Sequence, residues 1–469
     1  MTKDLLRRLP SVDSLLKTEE SEGLIAKYGR AVVVDAARKV VEGLRSAILK
    51  GSKGPLAEDT LSQESILKEI GAHLQKAFSP SLVKAVNASG VVLHTGLGRA
   101  VLPKDAQDAI DEVIEGYCTL AADIETGRRG HRDVHLDELL CEITGAEAAT
   151  VVNNNAAATM LILNSLANGK EVIVSRGQLV EIGGAFRMPD VMGASGAILR
   201  EVGTTNRTHL RDYAAVIWEE TGAIMRVHHS NYRIVGFSGE PGIEELAQLA
   251  KEHNIPLIDD LGSGALVDLS EYGLESEPMV QHSLLAGADV ACFSGDKLIG
   301  GPQAGIIVGK ADLIKRIRKN PLARAFRIGK MTIAGMEATL RLFRSPEKLK
   351  ERHPVHKMFA LSITEIESRA KKALRNLKKQ IPRGVEFSVV DGGSQVGSGS
   401  VPVQTMPTKL LMVKPKALSV ESLARSLRHH QPAVFPRVQN DAVLLDFRTI
   451  QEQEDKVVLD ALIAVLKEG

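Results

Sequence analysis

Short apolar runs alternate with helix-like stretches through the middle of this 469-residue chain. Runs of this kind predict buried parallel strands, and the amphipathic stretches between them, such as residues 243–253, predict covering helices. We therefore predict an α/β fold built on a large, doubly wound, mostly parallel sheet. Its expected strands lie at 149–152, 172–175, 197–202, 223–227, 257–260, 290–293 and 305–308.

Two smaller regions flank this sheet. Residues 1–78 repeat apolar positions at helical spacing between charges, which predicts a helical N-terminal domain. A charged helical stretch after residue 350 is followed by a pattern typical of a small α+β domain. Its elements are expected as strands at 385–390, 410–413 and 442–447 and a helix near 457–467. We expect domains at 1–78, 79–350 and 351–469.

The near-neutral charge of the chain does not by itself indicate a nucleic-acid partner. The chain has 59 Lys and Arg against 58 Asp and Glu, and its 3% of aromatic residues argues against base-stacking modules. The positive charge is nevertheless local, because residues 315–383 hold 20 Lys and Arg against 5 acids and residues 1–53 lean basic. Such runs fit either a solvated helix face or contacts to an RNA backbone.

Cysteine content and hydropathy indicate a cytoplasmic protein. Cys118, Cys141 and Cys292 are too few and too scattered for a disulfide framework or a CxxC metal site. The sequence contains no run of about 18 apolar residues, so no membrane span is predicted. Charges interrupt the N-terminus too often for a signal peptide.

Two glycine- and asparagine-containing turns are candidates for anion binding. Gly96 and Gly98 begin a dinucleotide fingerprint, but Val101 stands where its third glycine belongs, so a turn presenting Arg99 is the better interpretation. Residues 153–159 read Asn-Asn-Asn-Ala-Ala-Ala-Thr after a strand. This pattern fits either an ordinary helix cap or a phosphate cradle at a helix N-terminus.

Acids and a lysine follow two of the expected strands. Asp259 and Asp260 stand in a glycine-rich turn, where they fit either a metal or a cationic ring nitrogen, although no further ligand lies at metal spacing. Asp296 and Lys297 end another strand before a second glycine-rich stretch. A desolvated lysine in such a place has a lowered pKa and forms Schiff bases.

Several segments together carry a family resemblance. The Ser-Gly-Asp-Lys turn, the Asp-Asp-Leu-Gly-Ser-Gly turn and the asparagine-rich helix start resemble fold-type-I pyridoxal-phosphate enzymes. Residues 86–90, 94–99, 125–132 and 176–184 are similar to bacterial selenocysteine synthases, the L-seryl-tRNA(Sec) selenium transferases. The resemblance covers nearly the whole chain, including residues 1–78 and 444–449.

The resemblance implies a pyridoxal 5′-phosphate site. Lys297 would bind the cofactor covalently and later move the substrate α-proton, with Asp296 tuning it or transferring protons. Asp259 would pair with the ring nitrogen, with Asp260 as the alternative. The remaining expected cofactor contacts are Asn154, Asn155, Ala156 and Ser294 at the phosphate, and Gln178 and Asn231 near the ring.

Four arginines are candidates for substrate binding. Arg99, Arg132, Arg324 and Arg327 stand in turn-like contexts, and a guanidinium suits a phosphate-like dianion. The resemblance implies that this anion is selenophosphate, the selenium donor. Ion pairs with neighbouring acids are the alternative for each arginine.

The implied activity is β-replacement of the seryl hydroxyl on L-seryl-tRNA(Sec), through an aminoacrylyl intermediate, to give selenocysteinyl-tRNA(Sec). The resemblance also implies a large homo-oligomer built from dimers. Two alternatives remain: a sugar-acid ammonia-lyase on the same scaffold, and a catalytically silent tRNA-binding protein. Residues 1–78 favour the tRNA enzyme, because the lyases are typically shorter, and the joint presence of lysine, acid and arginines disfavours the silent protein.

Overall fold

The computed structural model describes residues 2–50, 61–184, 186–229, 231–381 and 383–468. The chain divides into two compact units, Met1–Lys84 and Ala85–Gly469. The further division expected at residue 350 stays a prediction. Among the described helices, none has the length and apolarity that crossing a bilayer requires.

The first unit is helical. Its described helices are α1 (Thr2–Arg8), α2 (Val12–Leu15), α3 (Glu19–Tyr28), α4 (Arg30–Leu49) and α5 (Gln63–Phe78). Buried residues of α4, including Val33, Ala37 and Leu44, recur at helical spacing and pack with Ile66 and Ile70 of α5. These two apolar stripes form the core of the unit.

The second unit contains two main sheets. Its described strands are β1 (Ala85–Ala88), β2 (Ala148–Val152), β3 (Glu171–Ser175), β4 (Glu181–Ile182), β5 (Phe186–Arg187), β6 (Ile198–Val202), β7 (Thr221–Val227), β8 (Leu257–Gly262), β9 (Val290–Ser294), β10 (Gly305–Gly309), β11 (Val385–Gly397), β12 (Ser400–Pro415), β13 (Ala433–Gln439) and β14 (Ala442–Asp446).

Helices cover both sheets. They are α6 (Lys104–Ile114), α7 (Asp137–Thr144), α8 (Asn155–Ala167), α9 (Met188–Ser195), α10 (Leu210–Ala214), α11 (Ile243–Glu252), α12 (Val280–Leu285), α13 (Ala311–Lys319), α14 (Pro321–Ala325), α15 (Lys330–Leu342), α16 (Leu349–Arg352), α17 (Pro354–Ala360), α18 (Ile363–Gln380), α19 (Val420–His429) and α20 (Asp455–Glu468).

The larger sheet has the strand order β2-β10-β9-β8-β7-β3-β6. Its neighbouring strands run parallel except for β10, which is antiparallel to both β2 and β9. Cys292 faces a core layer shared with α8, and its neighbour Phe293 faces a layer shared with α7 and α15. Helices therefore cover both faces, and each of the seven expected strands agrees with an observed strand to within two residues. The predicted fold class is confirmed.

The smaller sheet has the order β1-β13-β14-β12-β11 and is antiparallel except for the β1–β13 pair. The three expected strands and the terminal helix are present, but β11 and β12 are much longer than expected. Strands β1 and β13 were not expected, because β1 has only four residues and Pro436 interrupts β13. Strand β1 ties the start of the unit to its C-terminal sheet.

Gly90, directly after β1, approaches the carboxylate of Asp446. It has φ +78°, and a Cβ there would lie 2.3 Å from Asp446 Oδ2. Asp446 is fully buried and accepts hydrogen bonds from Ser394 Oγ (2.7 Å) and Thr408 Oγ1 (2.8 Å). Only glycine fits this junction without strain.

Gly90→Ala should therefore lower the free energy of unfolding by at least about 2 kcal/mol, through positive-φ strain and overpacking against Asp446. Urea denaturation followed by circular dichroism measures this change. Gly116→Ala is the matched control, because a Cβ at Gly116 meets no atom within 4 Å. Equal stability of the two variants would contradict the account of this junction.

Candidate active site

A cavity of about 280 Å³ lies at the carboxyl edge of the larger sheet. We call it the lysine cavity. Parallel strands place the turns that follow them on one edge, which is where open α/β sheets bind ligands. Its lining includes Arg99, Asn154, Asn155, Ala156, His228, Asp260, Ser294, Asp296 and Lys297. Most of the residues expected around the cofactor therefore come together here.

Lys297 is buried in the turn after β9, with 6% of its surface exposed. Its carbonyl accepts the Gly300 N–H (3.0 Å), which closes the turn. Burial lowers the pKa of the Lys297 ammonium, and the positive charge of Arg99 lowers it further. Three nearby carboxylates oppose this shift: Asp260, Asp296 and Glu277. The amine is therefore easier to deprotonate than that of an exposed lysine.

Of the two adjacent acids in β8, Asp260 is the one that lines the lysine cavity. Its carboxylate accepts hydrogen bonds from Asn155 Nδ2 (2.8 Å), Thr159 Oγ1 (2.9 Å) and the Gly262 N–H (3.1 Å). Burial raises the pKa of Asp260, although these hydrogen bonds and the Lys297 charge act in the opposite direction. A buried carboxylate of this kind is suited to pair with a cationic group in the cavity.

Asp259, the acid expected at the cofactor ring, does not line the lysine cavity. Successive strand residues point to opposite faces of the sheet. Asp259 therefore lies on the other face, where Arg226 Nη1 (3.3 Å) and Ser283 Oγ (2.6 Å) hold its carboxylate. The alternative, Asp260, takes the place expected for Asp259.

The N-terminus of α8 forms one wall of the lysine cavity. Asn154 caps the helix, with its Oδ1 accepting the Ala157 N–H at 2.8 Å. The first N–H groups of a helix have no carbonyl partner within it and attract anions. Asn155 Oδ1 is buried without a hydrogen-bond partner. This wall therefore offers both anion-binding donors and an unused acceptor.

Arg99 and Asp296 form an ion pair at the cavity, with Arg99 Nη1 2.6 Å from Asp296 Oδ2. The Arg99 backbone has φ +60°, which is uncommon for a residue with a side chain. The loop before α6 thus holds a guanidinium beside the Lys297 turn. Asp296 is buried and fixes the position of this guanidinium.

Two expected ring contacts, Gln178 and Asn231, do not line the lysine cavity. Gln178 is buried, donates to Glu240 Oε2 (2.8 Å) and accepts the Val227 N–H (3.0 Å). Asn231 is exposed, and its Nδ2 donates to the Glu181 carbonyl at 2.8 Å. Gln178 therefore hydrogen-bonds to the backbone of β7, and Asn231 hydrogen-bonds to the backbone of β4.

The other three expected arginines line a separate cavity of about 400 Å³, which we call the arginine cavity. Burial and the charges of Arg327, Arg129 and Arg324 lower the pKa of Arg132. Arg132 Nη1 donates to the Ile328 carbonyl (2.8 Å), while its Nε is buried without a partner. Such crowded positive charge is suited to a bound anion. Val152 lines this cavity and Asn154 lines the lysine cavity, so the β2–α8 turn passes between them.

His228 and Glu277 are site residues that the sequence analysis missed. His228 follows β7 and lines the lysine cavity, with its Nδ1 3.9 Å from Glu277 Oε2. Burial lowers the pKa of His228. Glu277 is buried and accepts hydrogen bonds from Ser263 Oγ (2.9 Å) and the Val401 N–H (2.7 Å). The position of His228 directly after an expected strand was the only available signal.

Among solved structures, D-glucosaminate-6-phosphate ammonia-lyase has a similar fold. The TM-score is 0.57 at 18% sequence identity, and the match covers 84% of this chain and 98% of the lyase chain. At this identity the likeness concerns the fold alone.

Sequence relatives are far closer. The chain is 45% identical over 463 residues to the L-seryl-tRNA(Sec) selenium transferase of Alkaliphilus metalliredigens, covering 99% of each chain. It is 46% identical over 465 residues to the enzyme of that name from Geotalea daltonii, covering 99% of this chain and 100% of the relative. Residues 6–45 match the family model of the selenocysteine synthase N-terminal region, and residues 85–451 match that of L-seryl-tRNA selenium transferase. The chain belongs to the L-seryl-tRNA(Sec) selenium transferase family.

Proposed function

We propose that this protein converts L-seryl-tRNA(Sec) to L-selenocysteinyl-tRNA(Sec), with pyridoxal 5′-phosphate in the lysine cavity and selenophosphate as the selenium donor. The observation that carries this proposal is the meeting of buried Lys297 with buried Asp260 in one cavity. The end-to-end similarity to relatives that bear this enzyme name supports the choice of substrate.

The residues of the lysine cavity fit pyridoxal phosphate. The aldehyde needs a desolvated amine, which Lys297 provides, and the ring nitrogen needs an acid, which Asp260 provides. The phosphate needs donors, which the start of α8 and Ser294 provide. The unpaired Oδ1 of Asn155 leaves an acceptor for a ligand hydroxyl.

Bound pyridoxal phosphate supplies an electron sink for the negative charge that develops at the seryl α-carbon. Lys297 Nζ would hold the cofactor and would act as the general base for the seryl α-proton. The Asp260 carboxylate keeps a proton on the ring nitrogen. Asp296 holds Arg99 over the site through their 2.6 Å ion pair, and this guanidinium favours anions near Lys297.

The arginine cavity is the proposed site of selenophosphate. Arg132, Arg324 and Arg327 face one space, and forked guanidinium donors match the oxygens of a phosphate-like anion. The turn between β2 and α8 joins the two cavities, because Val152 lines the arginine cavity and Asn154 lines the lysine cavity. The proposed donor site therefore neighbours the proposed cofactor site.

The basic regions of the chain support a tRNA partner. Residues 315–383 carry 20 Lys and Arg against 5 acids, and phosphate contacts supply most of the non-specific affinity of proteins for nucleic acids. We further propose that the protein acts in the cytoplasm as a large homo-oligomer built from dimers, as the family resemblance implies.

Incubation of the purified protein with seryl-tRNA(Sec) and selenium-labelled selenophosphate tests the proposed reaction directly. We expect label on the aminoacyl ester, released as selenocysteine by mild alkali. Full cofactor loading and tRNA binding without labelled product would contradict the proposed activity and favour a silent tRNA-binding protein.

Lys297→Ala should abolish the visible absorbance band of the lysine-bound cofactor, because no other amine takes its place in the cavity. Borohydride reduction followed by mass spectrometry should retain the cofactor mass on the wild type and not on the variant. Lys310→Ala, which removes a lysine paired with Asp289 (2.5 Å), should leave the band unchanged. An unaltered spectrum in Lys297→Ala would exclude this lysine.

Asp260→Asn should lower kcat at least about 100-fold, since a neutral amide cannot keep the ring nitrogen protonated. Asp259→Asn is the adjacent comparison. It breaks the ion pair with Arg226 and should lower the free energy of unfolding by about 3–5 kcal/mol, while folded protein keeps its kcat and cofactor spectrum. The reverse pattern in turnover assays and urea titrations would reassign the ring to Asp259.

Arg327→Ala should raise the KM for selenophosphate about 10- to 100-fold, the loss expected for hydrogen bonds to a charged ligand. The KM for seryl-tRNA should change little. Arg341→Ala is the control, because Arg341 is an exposed residue paired with Glu337 (2.5 Å). Steady-state kinetics with each substrate varied in turn gives both constants, and equal changes in both KM values would argue against a donor site.

A further inference from the structure

A further cavity, of about 280 Å³, lies at the carboxyl ends of β3, β6 and β7. We call it the side cavity. His228 lines both the side cavity and the lysine cavity, so the two adjoin. Its other lining residues include Thr205, Arg207, His229, Tyr232, Ser238, Glu240, Glu275 and Glu277. Apart from Glu277, whose charge acts on the Lys297 pKa, these residues have no part in the chemistry at Lys297 described above.

The covalent structure of an aminoacyl-tRNA determines what must lie beside the lysine cavity. The seryl carbonyl is esterified directly to a ribose hydroxyl of the 3′-terminal adenosine. When the seryl amine reaches Lys297, the terminal ribose is therefore held just outside the lysine cavity. The side cavity shares His228 with the lysine cavity, so it is a neighbouring space that can hold this ribose.

The lining of the side cavity suits a nucleoside better than a phosphate. Glu240, Glu275 and Glu277 bring three carboxylates to its walls, which repel an anion but accept hydrogen bonds from ribose hydroxyls and an adenine amine. Arg233 Nη2 pairs with Glu275, so these two charges offset each other, and Glu240 and Glu277 remain against Arg207. Hydroxyl groups of Thr205 and Ser238 add neutral partners.

An exposed aromatic residue stands beside the side cavity. The Arg207 guanidinium lies over the Phe237 ring, 4.4 Å from its centroid, yet 77% of Phe237 remains exposed. Arg207 itself lines the cavity, and Asn206 Nδ2 donates to the Phe237 carbonyl, which fixes the loop. Aromatic rings and arginine planes are the surfaces on which proteins stack bases of single-stranded RNA ends.

We propose that the side cavity binds the 3′-terminal adenosine of the aminoacylated tRNA, with the ribose near His228 and the base stacked at Phe237 and Arg207. This inference rests on the proposed function and adds to it the site that orients the seryl ester.

The test uses the full-length, cofactor-loaded protein and tRNA(Sec) with 2-aminopurine riboside in place of its terminal adenosine. Binding to the wild type should quench the fluorescence, because 2-aminopurine is quenched when it stacks. Phe237→Ala and Arg207→Ala should each lose most of the quenching while the whole tRNA still binds in a filter assay, weakened about 10-fold by the lost stack. For natural seryl-tRNA their KM should rise about 10-fold or more at unchanged kcat, as for a lost base stack.

Leu285→Ala is the matched control, since Leu285 is an apolar residue on α12 with 84% exposure. It should keep the full quenching. An unquenched wild-type complex that still forms selenocysteinyl-tRNA would overturn the adenosine site and leave the proposed function intact. Loss of quenching in Leu285→Ala as well would also overturn it. Absence of both tRNA binding and selenium transfer in the wild type would reject the proposed function, and the adenosine site with it.

Discussion

The active site depends on the burial of the Lys297 side chain. A lysine loses hydration when it is buried, and the neutral amine becomes the favoured form. The surrounding sheet provides this burial, because every residue of β9 before the Lys297 turn is buried. Asp260, Asp296 and Glu277 limit the pKa shift, and Arg99 increases it. The reactivity of the lysine thus results from a balance between desolvation and four fixed charges.

The placement of β10 connects that lysine to the proposed phosphate site. Gly305, its first residue, pairs with Val152 on one side and with Ser294 on the other. A Cβ at Gly305 would lie 2.1 Å from the Asn154 carbonyl oxygen, so the start of α8 approaches the strand as closely as backbone allows. One antiparallel strand therefore sets the distance between the helix N-terminus and the Lys297 turn. This close approach explains the glycine at position 305.

The sequence predicted the strands of the larger sheet and the turns that end them, because buried runs and glycine-rich turns are local patterns. It left Asp259 and Asp260 unresolved, since the face that a strand residue occupies depends on pairing with distant strands. Gln178 and Asn231 were misplaced for a related reason: their partners, Glu240 and the Glu181 carbonyl, are set by tertiary packing. His228 and Glu277 lie 49 residues apart, so no local spacing joined them.

Net charge and aromatic content describe this chain poorly because both are averages over separate sites. The arginine cavity concentrates positive charge where a small anion is proposed to bind, whereas the side cavity, which shares His228 with the lysine cavity, has three carboxylates in its lining. The carboxylates of the side cavity disfavour the anionic donor, and the arginines of the arginine cavity favour it. One exposed phenylalanine is enough for a single terminal base, so the scarcity of aromatic residues that argued against base stacking applies to the whole chain and not to this site.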